Sequence, residues 1–408
     1  MNIYLFLDPF PTWSQTFNFD EIVSLERLGH QVRIISLFKE RFIDHPLLKQ
    51  IRTKQINYLS RYDLFYKTSF FPPLNISYGI KSLGLNLINN HFHYFGVNRL
   101  RALVRKEKPD LFLVHFGALG EKFLWLKKEF GIPFVVFFHG HEFEVTQSRR
   151  YHQYQESFQL ADHFLVKNRY AYQKILELGC PFSKVTVIPY GINPDHYEYK
   201  DAERPSNGKK IKILGVGRLV EFKDFSLALD VIHGCVKDYP SLQYDILGEG
   251  PLFETLSEKI KTLGLDNVCF LHGAKNMKGV SRFMAAADIY FQPTRVDRYG
   301  GTEVIANSML EAQLHRLPVV STRVGGVPES VIHRETGFLA EENDAVTLKQ
   351  YLMDLIHNEA LRKSTGERGR QFVLDQFNSK KRIFELVDVL SSFLKDQNDV
   401  LHSSMSGK

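Results

Sequence analysis

Cysteine is scarce in this chain of 408 residues, which contains only Cys180, Cys235 and Cys269. Three distant cysteines supply neither a disulfide framework nor a zinc site, so a reducing compartment such as the cytoplasm is expected. Long apolar runs are missing too, and without 18 consecutive apolar residues no membrane-spanning helix is predicted. The short apolar start ends at Asp8-Pro9 and has no basic leader, so no secretory signal is expected.

The Asp-x-Asp motif is also absent, and no histidine or cysteine cluster has the spacing of metal ligands. A metal ion that clamps a diphosphate is therefore not expected. A convincing pair of nucleophile and base is missing as well. Any diphosphate bound here would have to be neutralised by basic side chains and helix amino termini.

Negative charge is scarce in the first half only. Residues 1–195 carry 24 Lys+Arg against 17 Asp+Glu, whereas residues 196–408 carry 28 against 29, for a net charge of +6 overall. The excess of positive charge indicates an anionic partner for the first half. A nucleic-acid partner is not expected.

The length of the chain predicts two domains, since 408 residues exceed what one hydrophobic core usually holds. Both halves alternate short apolar runs with amphipathic stretches, which is typical of parallel strands joined by helices. The predicted class is α/β, with two Rossmann-like, doubly wound parallel sheets whose strand ends face one interdomain cleft. The predicted strands are Ile3–Leu7, Val32–Ser36, Leu111–His115, Phe134–Phe138, Phe164–Val166, Val185–Ile188, Ile211–Gly215, Tyr244–Leu247, Val268–Leu271, Ile289–Gln292, Val319–Thr322 and Gly337–Leu339.

Composition also predicts the limits of the domains. The polar residues 200–210, with their proline and glycine, resemble a linker, so domains are predicted at 1–195 and 196–380. Residues 381–398 are predicted to form a helix that packs back on the first domain, followed by a disordered tail at 399–408.

An aromatic-rich insertion between Tyr58 and Tyr94 breaks the strand pattern of the first half and is predicted to form helices and loops. Aromatic and basic side chains together suit an anionic membrane interface, where each cation contributes about 1 kcal/mol. This alternative predicts peripheral, reversible attachment at the inner face of the cytoplasmic membrane. In the other alternative the aromatics pack inside the domain and the charges are solvated. The side chains concerned are Arg61, Tyr62, Phe65, Tyr66, Lys67, Phe70 and Phe71.

A glycine turn follows the first predicted strand of the second half, where Gly215 and Gly217 precede Arg218 and Lys223. Glycine lets backbone amides approach a phosphate, and the amino terminus of a following helix favours negative charge. The two cations could neutralise a diphosphate, or they could be solvated charges beside an ordinary turn. Val220 stands where the dinucleotide fingerprint requires glycine, which argues against a nicotinamide oxidoreductase.

Two glutamates, Glu303 and Glu311, stand eight residues apart in a stretch predicted to be helical over 302–315. Eight residues of helix rise about 12 Å, close to the span of a nucleotide diphosphate sugar from hexose to ribose. A carboxylate accepts two hydrogen bonds and suits vicinal hydroxyls, although two exposed glutamates on a helix are also commonplace. Before this stretch, Gly300-Gly301 predicts a flexible loop whose amides can reach the diphosphate.

Taken in order, the motifs of the second half resemble the retaining glycosyltransferases of family four, the group 1 glycosyl transferases, closest to the colanic-acid and exopolysaccharide type. The resemblance is dense over residues 211–340 and sparse in the first half. It implies a GT-B fold, in which two Rossmann-like domains face each other. The motifs are Gly217-Arg218-Leu219 with Lys223, Leu247-Gly248-Glu249-Gly250-Pro251, Leu271-His272-Gly273, Ala287-Asp288-Ile289 with Gln292-Pro293-Thr294, Glu303 with Glu311-Ala312, and Leu317-Pro318-Val319-Val320 with Gly325-Gly326-Val327-Pro328-Glu329 and Thr336-Gly337.

The resemblance implies a role for each matching position. Arg218 and Lys223 would bind the donor diphosphate. Glu303 would contact hydroxyls of the transferred sugar, and Glu311 would hold the ribose. The other donor-binding positions are Gly217, Glu249, Gly301, Thr302, Val304 and Ile305, the last four of them in a loop whose amides face phosphate and sugar.

Two positions depart from the family pattern. Asp224 follows Lys223 where glycine is usual, and Val304 replaces the glycine that usually follows the first glutamate. The second change could alter the sugar pocket, so the identity of the donor sugar stays open.

Two candidates come from the first half. His139 follows a predicted strand, and a residue at the carboxyl end of a parallel strand lies at the cleft. The matching family position contacts the donor sugar, while a capped surface histidine is the alternative. Residues 11–17 resemble a first-loop pattern of colanic-acid-type members, which would place Ser14, Gln15 and Thr16 beside the acceptor; a helix cap is equally compatible.

The sequence thus predicts a metal-independent, retaining hexosyltransferase without a cofactor. It would move a hexose-type sugar from a nucleotide diphosphate, UDP rather than GDP, to a glycan or lipid-linked acceptor in cell-surface polysaccharide biosynthesis. The resemblance implies front-face attack, with the donor phosphate drawing the acceptor proton while Glu303 and His139 position the sugar. A nucleotide-sugar epimerase or hydrolase of the same architecture, and an inactive nucleotide-sugar-binding protein, stay open as alternatives.

Overall fold

The structure is a computed structural model that describes residues 1–11, 16–37, 46–53, 55–59, 97–144, 154–197 and 210–405. The predicted acceptor-side residues Ser14 and Gln15 lie outside these ranges, and Thr16 is the first residue of a helix. The membrane-binding candidates at 61–71 lie outside them as well.

The first domain is built on a parallel sheet. Its strands are β1 (Asn2–Phe6), β2 (Gln31–Ser36), β3 (Ile56–Tyr58), β4 (Leu111–His115), β5 (Phe134–Phe138), β6 (His163–Val166) and β7 (Val185–Val187). Their order across the sheet is β3-β2-β1-β4-β5-β6-β7. Every residue of β4 and β5 is buried, which is why both strands read as nearly continuous apolar runs.

The second domain has a parallel sheet of its own. Its strands are β8 (Ile211–Val216), β9 (Leu242–Leu247), β10 (Cys269–Leu271), β11 (Ile289–Phe291), β12 (Val319–Thr322) and β13 (Gly337–Ala340), in the order β10-β9-β8-β11-β12-β13. All twelve predicted strands are present, with ends that differ by two residues at most. The short edge strand β3 was not predicted, because its three half-buried residues form no apolar run.

Helices cover both faces of each sheet. Along β1, Ile3 and Leu5 point into one hydrophobic cluster while Tyr4 and Phe6 point into another, so the first sheet is doubly wound. The helices are α1 (Thr16–Arg27), α2 (97–107), α3 (Gly117–Phe123), α4 (Trp125–Phe130), α5 (His141–Glu144), α6 (Gln155–Leu160), α7 (Arg169–Glu177), α8 (Phe225–Asp238), α9 (Phe253–Thr262), α10 (Met277–Ala286), α11 (Asn307–Leu314), α12 (Val327–Ser330), α13 (Ala345–His357), α14 (Glu359–Gln376) and α15 (Ser379–Met405).

The last helix returns to the first domain. Ile383, Leu386 and Leu390 of α15 are buried in the same cluster as Phe19 and Ile22 of α1. The helix begins two residues before the predicted 381–398 segment and continues to Met405, so residues 399–405, predicted to be disordered, are helical here. The polar composition of this end does not prevent helix formation, since α15 extends continuously from a well-packed amino-terminal part.

The helix after β11 is shorter than predicted. Residues 302–306 are not helical, and α11 begins only at Asn307. Glu303 therefore lies in the loop before the helix and Glu311 lies in the helix, and the predicted 12 Å spacing along one helix is wrong.

The two domains meet at the carboxyl ends of their strands. Asn168, after β6, donates its amide Nδ2–H to the carbonyl of Val304, which follows β11, at 2.5 Å. The Glu329 carboxylate of α12 accepts from the backbone amides of Arg169 and Tyr170, at 2.8 Å each. The second domain thus caps the amino terminus of α7 in the first domain.

Candidate functional site

The turns after β8 and β9 lie against each other. The backbone amide of Gly217 donates to the carbonyl of Leu247 at 3.0 Å, and that of Leu219 donates to Glu249 at 2.9 Å. A Cβ at Gly248 would collide with the Gly217 carbonyl, and φ there is 155°. Glycine is thus needed at this close approach. Glu249 itself is exposed, and its carboxylate accepts from the amide of Ala274 at 3.3 Å.

The two predicted phosphate-binding cations have different environments. Arg218 is exposed, with its guanidinium carbon 5.7 Å from the centre of the Phe222 ring. Lys223, in the short turn that follows, is buried and forms an ion pair with the buried carboxylate of Glu303. This pair joins the loops after β8 and β11, so a diphosphate that reaches Lys223 would compete with Glu303 for it.

Asp224 explains one departure from the family pattern. Its backbone is left-handed, with φ 37° and ψ 43°, a conformation that glycine adopts easily and that aspartate tolerates better than most residues. Its side chain accepts from the amide of Leu227 at 3.3 Å and so caps α8. The aspartate keeps the turn that glycine would allow and adds a helix cap.

The glycine loop before Glu303 is closed by a side chain that the sequence did not single out. The carboxylate of Asp297 accepts from the amides of Tyr299 and Gly301 at 2.8 Å each. A Cβ at Gly301 would stand within 2.6 Å of that carboxylate. The Gly301 amide, predicted to face a phosphate, is therefore engaged inside its own loop.

Thr302 is the strongest ligand-contacting candidate in this loop. It is 5 % exposed, and its hydroxyl oxygen has no hydrogen-bond partner within the described residues. The same holds for the side-chain nitrogen of Gln292, at the end of β11. Buried polar atoms usually have partners, because leaving one unpaired costs about 1–3 kcal/mol. The two unpaired atoms fit a site whose partners come from a ligand.

Val304 and Ile305 face the first domain. Val304 is buried in that domain's hydrophobic cluster, and Ile305 packs against it. A Cβ at Gly140 would stand 2.8 Å from the Val304 side chain. Val304, where the family usually has glycine, therefore fills space at the domain contact and leaves Gly140 no room for a side chain.

Glu311, on α11, is the second predicted carboxylate. Its Oε1 accepts a hydrogen bond from the hydroxyl of Tyr197 at 3.0 Å. Burial raises the pKa of Glu311 to about 7, although the bond from Tyr197 lowers it. The carboxyl group therefore changes charge near neutral pH, a property that the spacing of the glutamates did not reveal.

His139 follows β5 and lies one residue from the contact between Gly140 and Val304. Its Nε2 is 3.0 Å from Nδ1 of His115, which ends β4, and Nε2 of His115 is 2.9 Å from the carboxylate of Glu21 on α1. Burial, together with the positive charge of Lys167, holds the pKa of His139 well below its usual value. The structure thus brings His139 next to the loop of the second domain that carries Glu303 and leaves it neutral.

Glu142 holds the loop that carries His139. Its buried carboxylate accepts from the amides of His139, Gly140 and Gly117 at 3.0, 2.8 and 3.0 Å. Glu142, His115 and Glu21 were not predicted from the sequence as parts of the site. His115 carries the same signal as His139, a histidine at the end of a buried strand, and that signal could have found it.

The residues that the structure describes contain neither a metal-binding cluster nor a membrane-spanning helix. No group of three or more His, Cys, Asp or Glu side chains there is arranged to hold a metal ion. No helix in them is both long enough and apolar enough to cross a bilayer. The three cysteines are buried and form no disulfide.

Comparison with protein families gives two adjoining matches. Residues 15–196 match the model described as Glycosyltransferase Family 4, and residues 197–372 match the model described as Glycosyl transferases group 1. The two matches meet at residues 196 and 197, a few residues before the polar stretch 200–210.

Comparison with curated proteins gives relatives that align along almost the whole chain. An amylovoran biosynthesis glycosyltransferase of Erwinia amylovora is 27% identical over 96% of this chain and 99% of its own length. A putative colanic acid biosynthesis glycosyltransferase of Salmonella typhimurium is 26% identical over 96% of this chain and 100% of its own.

Solved structures share the architecture. A glycosyltransferase from Rickettsia africae has a TM-score of 0.73 at 17% identity, covering 97% of this chain and 98% of its own. Anabaena HepE in complex with UDP and glucose also has a TM-score of 0.73, at 16% identity, covering 96% of this chain and all of its own. With the two facing parallel sheets, this likeness confirms the predicted GT-B fold.

Proposed function

We propose that this chain, which belongs to glycosyltransferase family four, transfers a hexose from a UDP-sugar to a glycan or lipid-linked acceptor with retention of configuration and without a metal ion. Its relatives are named for amylovoran and colanic acid biosynthesis, which supports a role in building a cell-surface polysaccharide. The observation that carries the proposal is the buried Lys223–Glu303 pair beside Thr302, facing the His139 loop across the domain contact.

Donor binding follows from the charges of the second domain. The diphosphate would be neutralised by Lys223 and by exposed Arg218, which together supply two positive charges. Once Lys223 turns to the phosphate, the Glu303 carboxylate is released to accept hydrogen bonds from sugar hydroxyls. Glu311 would take the ribose diol, as its position in the paired-glutamate motif implies. The bound complex of HepE with UDP supports UDP as the nucleotide.

Transfer would proceed without a covalent intermediate on the protein. In front-face attack the acceptor hydroxyl approaches from the side of the departing UDP, and a phosphate oxygen of the donor takes its proton. Lys223 and Arg218 stabilise the charge that develops on the leaving diphosphate. His139, neutral and partly buried, and Glu303 would orient the sugar between the domains.

The acceptor would bind to the first domain, where residues 11–17 follow β1 and the positive charge is in excess. Peripheral attachment to an anionic membrane would bring a lipid-linked acceptor to this domain.

Turnover of nucleotide sugars tests the proposal directly. The full chain is incubated with a panel of UDP- and GDP-hexoses, with and without chelator, and release of the nucleoside diphosphate is measured. We expect release from a UDP-hexose that is unaffected by chelator, and retained anomeric configuration in the product. If chelator abolishes turnover and a divalent ion restores it, the metal-independent mechanism is wrong.

A further inference from the structure

We propose that Asn168 is a positioning residue that holds the main chain beside Glu303 and so sets the distance between Glu303 and His139, which belong to different domains. The bonds that Asn168 makes follow from geometry alone. Their effect on transfer rests on the proposed function, in which Glu303 and His139 orient the sugar.

The side chain of Asn168 is bonded to both domains at once. Its Oδ1 accepts from the backbone amide of Ala171 at 2.8 Å and so caps α7 of the first domain. Its Nδ2 donates to the carbonyl of Val304 in the second domain at 2.5 Å. The backbone amide only donates and the carbonyl only accepts, so the orientation of the Asn168 side chain is fixed. Both bonds are buried, and the loss of either would leave polar groups without a partner.

The main chain at Glu303 and Val304 is also held from its own domain. The backbone amide of Gly326 donates to the carbonyl of Glu303 at 2.8 Å. A Cβ at Gly326 would collide with the carbonyl of Val304 and with Nδ2 of Asn168, so these groups lie in direct contact. The loop that carries Glu303 is therefore held between Gly326 of the second domain and Asn168 of the first.

Glu329, three residues after Gly326, holds the start of α7 at the same place. Its carboxylate accepts from the backbone amides of Arg169 and Tyr170 at 2.8 Å each. The first turn of α7 is thus docked on the second domain through its cap and its first two amides. Of these three bonds, the one from Asn168 ends on the residue next to Glu303, which makes Asn168 the position to test.

Val304 also packs on the first domain beside His139. Its side chain is buried in the hydrophobic cluster of that domain, and a Cβ at Gly140, the residue after His139, would stand 2.8 Å from it. This packing and the bond from Asn168 together fix how far Glu303 lies from His139. A shift of about 1 Å in a group that orients the substrate can lower the rate about a hundredfold. Binding of UDP should be spared, because the residues predicted to bind UDP lie in the second domain.

Two substitutions of Asn168 remove the bond between the domains and keep the helix cap. Asn168→Asp caps as well as asparagine does, but it presents a carboxylate oxygen to the Val304 carbonyl and cannot donate. Asn168→Ser keeps a capping hydroxyl that is too short to reach Val304, and it adds no charge beside Glu329. Asn358 caps α14 through the amide of Leu361 at 2.9 Å, so Asn358→Asp and Asn358→Ser are the matched controls.

Hydrogen exchange followed by mass spectrometry tests the bond without any substrate. The amide of Gly326, which is bonded to the carbonyl of Glu303, reports how firmly the loop is held. In the full chain we expect its exchange to become about tenfold faster in both Asn168 variants and to stay at the wild-type rate in both Asn358 variants. Wild-type exchange at Gly326 in both Asn168 variants would overturn the proposal.

Turnover of UDP-glucose supplies the functional readout. Both Asn168 variants should lower kcat by about tenfold to a hundredfold while the Kd for UDP stays at the wild-type value, and the Asn358 variants should match the wild type in both. An unchanged kcat despite faster exchange at Gly326, or a kcat that falls together with the affinity for UDP, would overturn the positioning role. A wild type that binds UDP-glucose but turns over no nucleotide sugar would refute the proposed glycosyl transfer, whereas hydrogen exchange would still decide whether Asn168 holds the loop.

Discussion

At the scale of single residues, the two glutamates predicted to bind the donor differ in what surrounds them. Glu303 is a buried loop residue paired with the cation Lys223. Glu311 is a helix residue that accepts from a tyrosine hydroxyl, and its pKa is raised to about 7. Substitution of the two residues should therefore have different effects, and the charge of Glu311 should change with pH near neutrality.

Replacing each glutamate by alanine should separate catalysis from nucleotide binding. Glu303→Ala should abolish turnover without weakening UDP binding, because its carboxylate is expected to contact the sugar and competes with the diphosphate for Lys223. Glu311→Ala should weaken UDP binding by about 1.5–3 kcal/mol, the value of a lost hydrogen bond to a charged group, or about 10- to 150-fold in Kd. Calorimetric titration with UDP measures both. Equal affinity in Glu311→Ala and the wild type would rule out the ribose contact.

The affinity for UDP should also depend on pH through Glu311. The ionised carboxylate is the better acceptor for the ribose diol, and its fraction rises as pH increases through about 7, so UDP should bind more tightly on the alkaline side. Tyr197→Phe removes a hydrogen bond that lowers this pKa, and the midpoint should move upward. The β-phosphate of UDP titrates in a similar range, so Glu311→Gln serves as the control that retains only the ligand's own titration. A midpoint that is the same in all three proteins would contradict the assignment.

At the scale of elements, the site is made by loops that leave the ends of parallel strands, and each is held by a contact from another loop. The turns after β8 and β9 interlock at Gly217 and Gly248, Asp297 closes the loop before Glu303, and Glu142 holds the loop of His139. These contacts place rigid backbone at the cleft, which reduces the ordering that a ligand would otherwise have to impose.

The contribution of one such turn to the stability of the second domain can be tested at Asp224. Asp224→Ala should destabilise the second domain by about 2 kcal/mol, because alanine neither caps α8 nor tolerates a left-handed backbone. For a domain of this size the loss corresponds to about 4–8 °C in Tm. Asp224→Gly loses the cap but relieves the backbone, so its shift should be smaller than that of alanine. Differential scanning calorimetry of both variants checks the order, and a loss in the glycine variant as large as that in the alanine variant would show that the left-handed backbone contributes nothing.

At the scale of the whole molecule, two sheets face each other across contacts made by their strand ends, and the chain closes by returning α15 to the first domain. Ile383, Leu386 and Leu390 pack on α1, so the terminal helix ties the second domain back to the first. Asn168 and Glu329 fasten the domains beside the loop that carries Glu303. That loop is thus part of the contact between the domains, since Val304, next to Glu303, is buried in the hydrophobic cluster of the first domain.

Attachment to a membrane would depend on the net charge of the whole first domain. We expect the full chain to float with anionic liposomes at low salt and not with neutral ones, through the excess positive charge of residues 1–195. Arg61→Glu with Lys67→Glu should weaken flotation, whereas a matched pair of charge reversals in the second domain, Lys259→Glu with Lys261→Glu, should not. Wild type that ignores anionic liposomes would favour a soluble acceptor over a lipid-linked one.

The sequence by itself determined what depends on local pattern. Buried parallel strands carry short, mostly apolar runs, so all twelve predicted strands were found, and spaced motifs singled out Lys223, Glu303 and Glu311 as candidate donor-binding residues. Strand ends also indicated His139. These signals are local, because an apolar run or a turn residue depends only on the residues beside it in the sequence.

Only the tertiary structure decided which of these residues meet. The Lys223–Glu303 pair spans 80 residues of sequence, and the row from Glu21 to His139 joins α1 with the ends of β4 and β5, which become neighbours only through the strand order of the sheet. The helix predicted over 302–315 failed at its start for the same reason. Contacts with Lys223, Gly325 and Asn168 hold residues 302–306 in a non-helical loop, against a local pattern that favoured a helix. Burial then set the charges, raising the pKa of Glu311 and keeping His139 neutral, and burial is a property of the packed molecule that no single stretch of sequence contains.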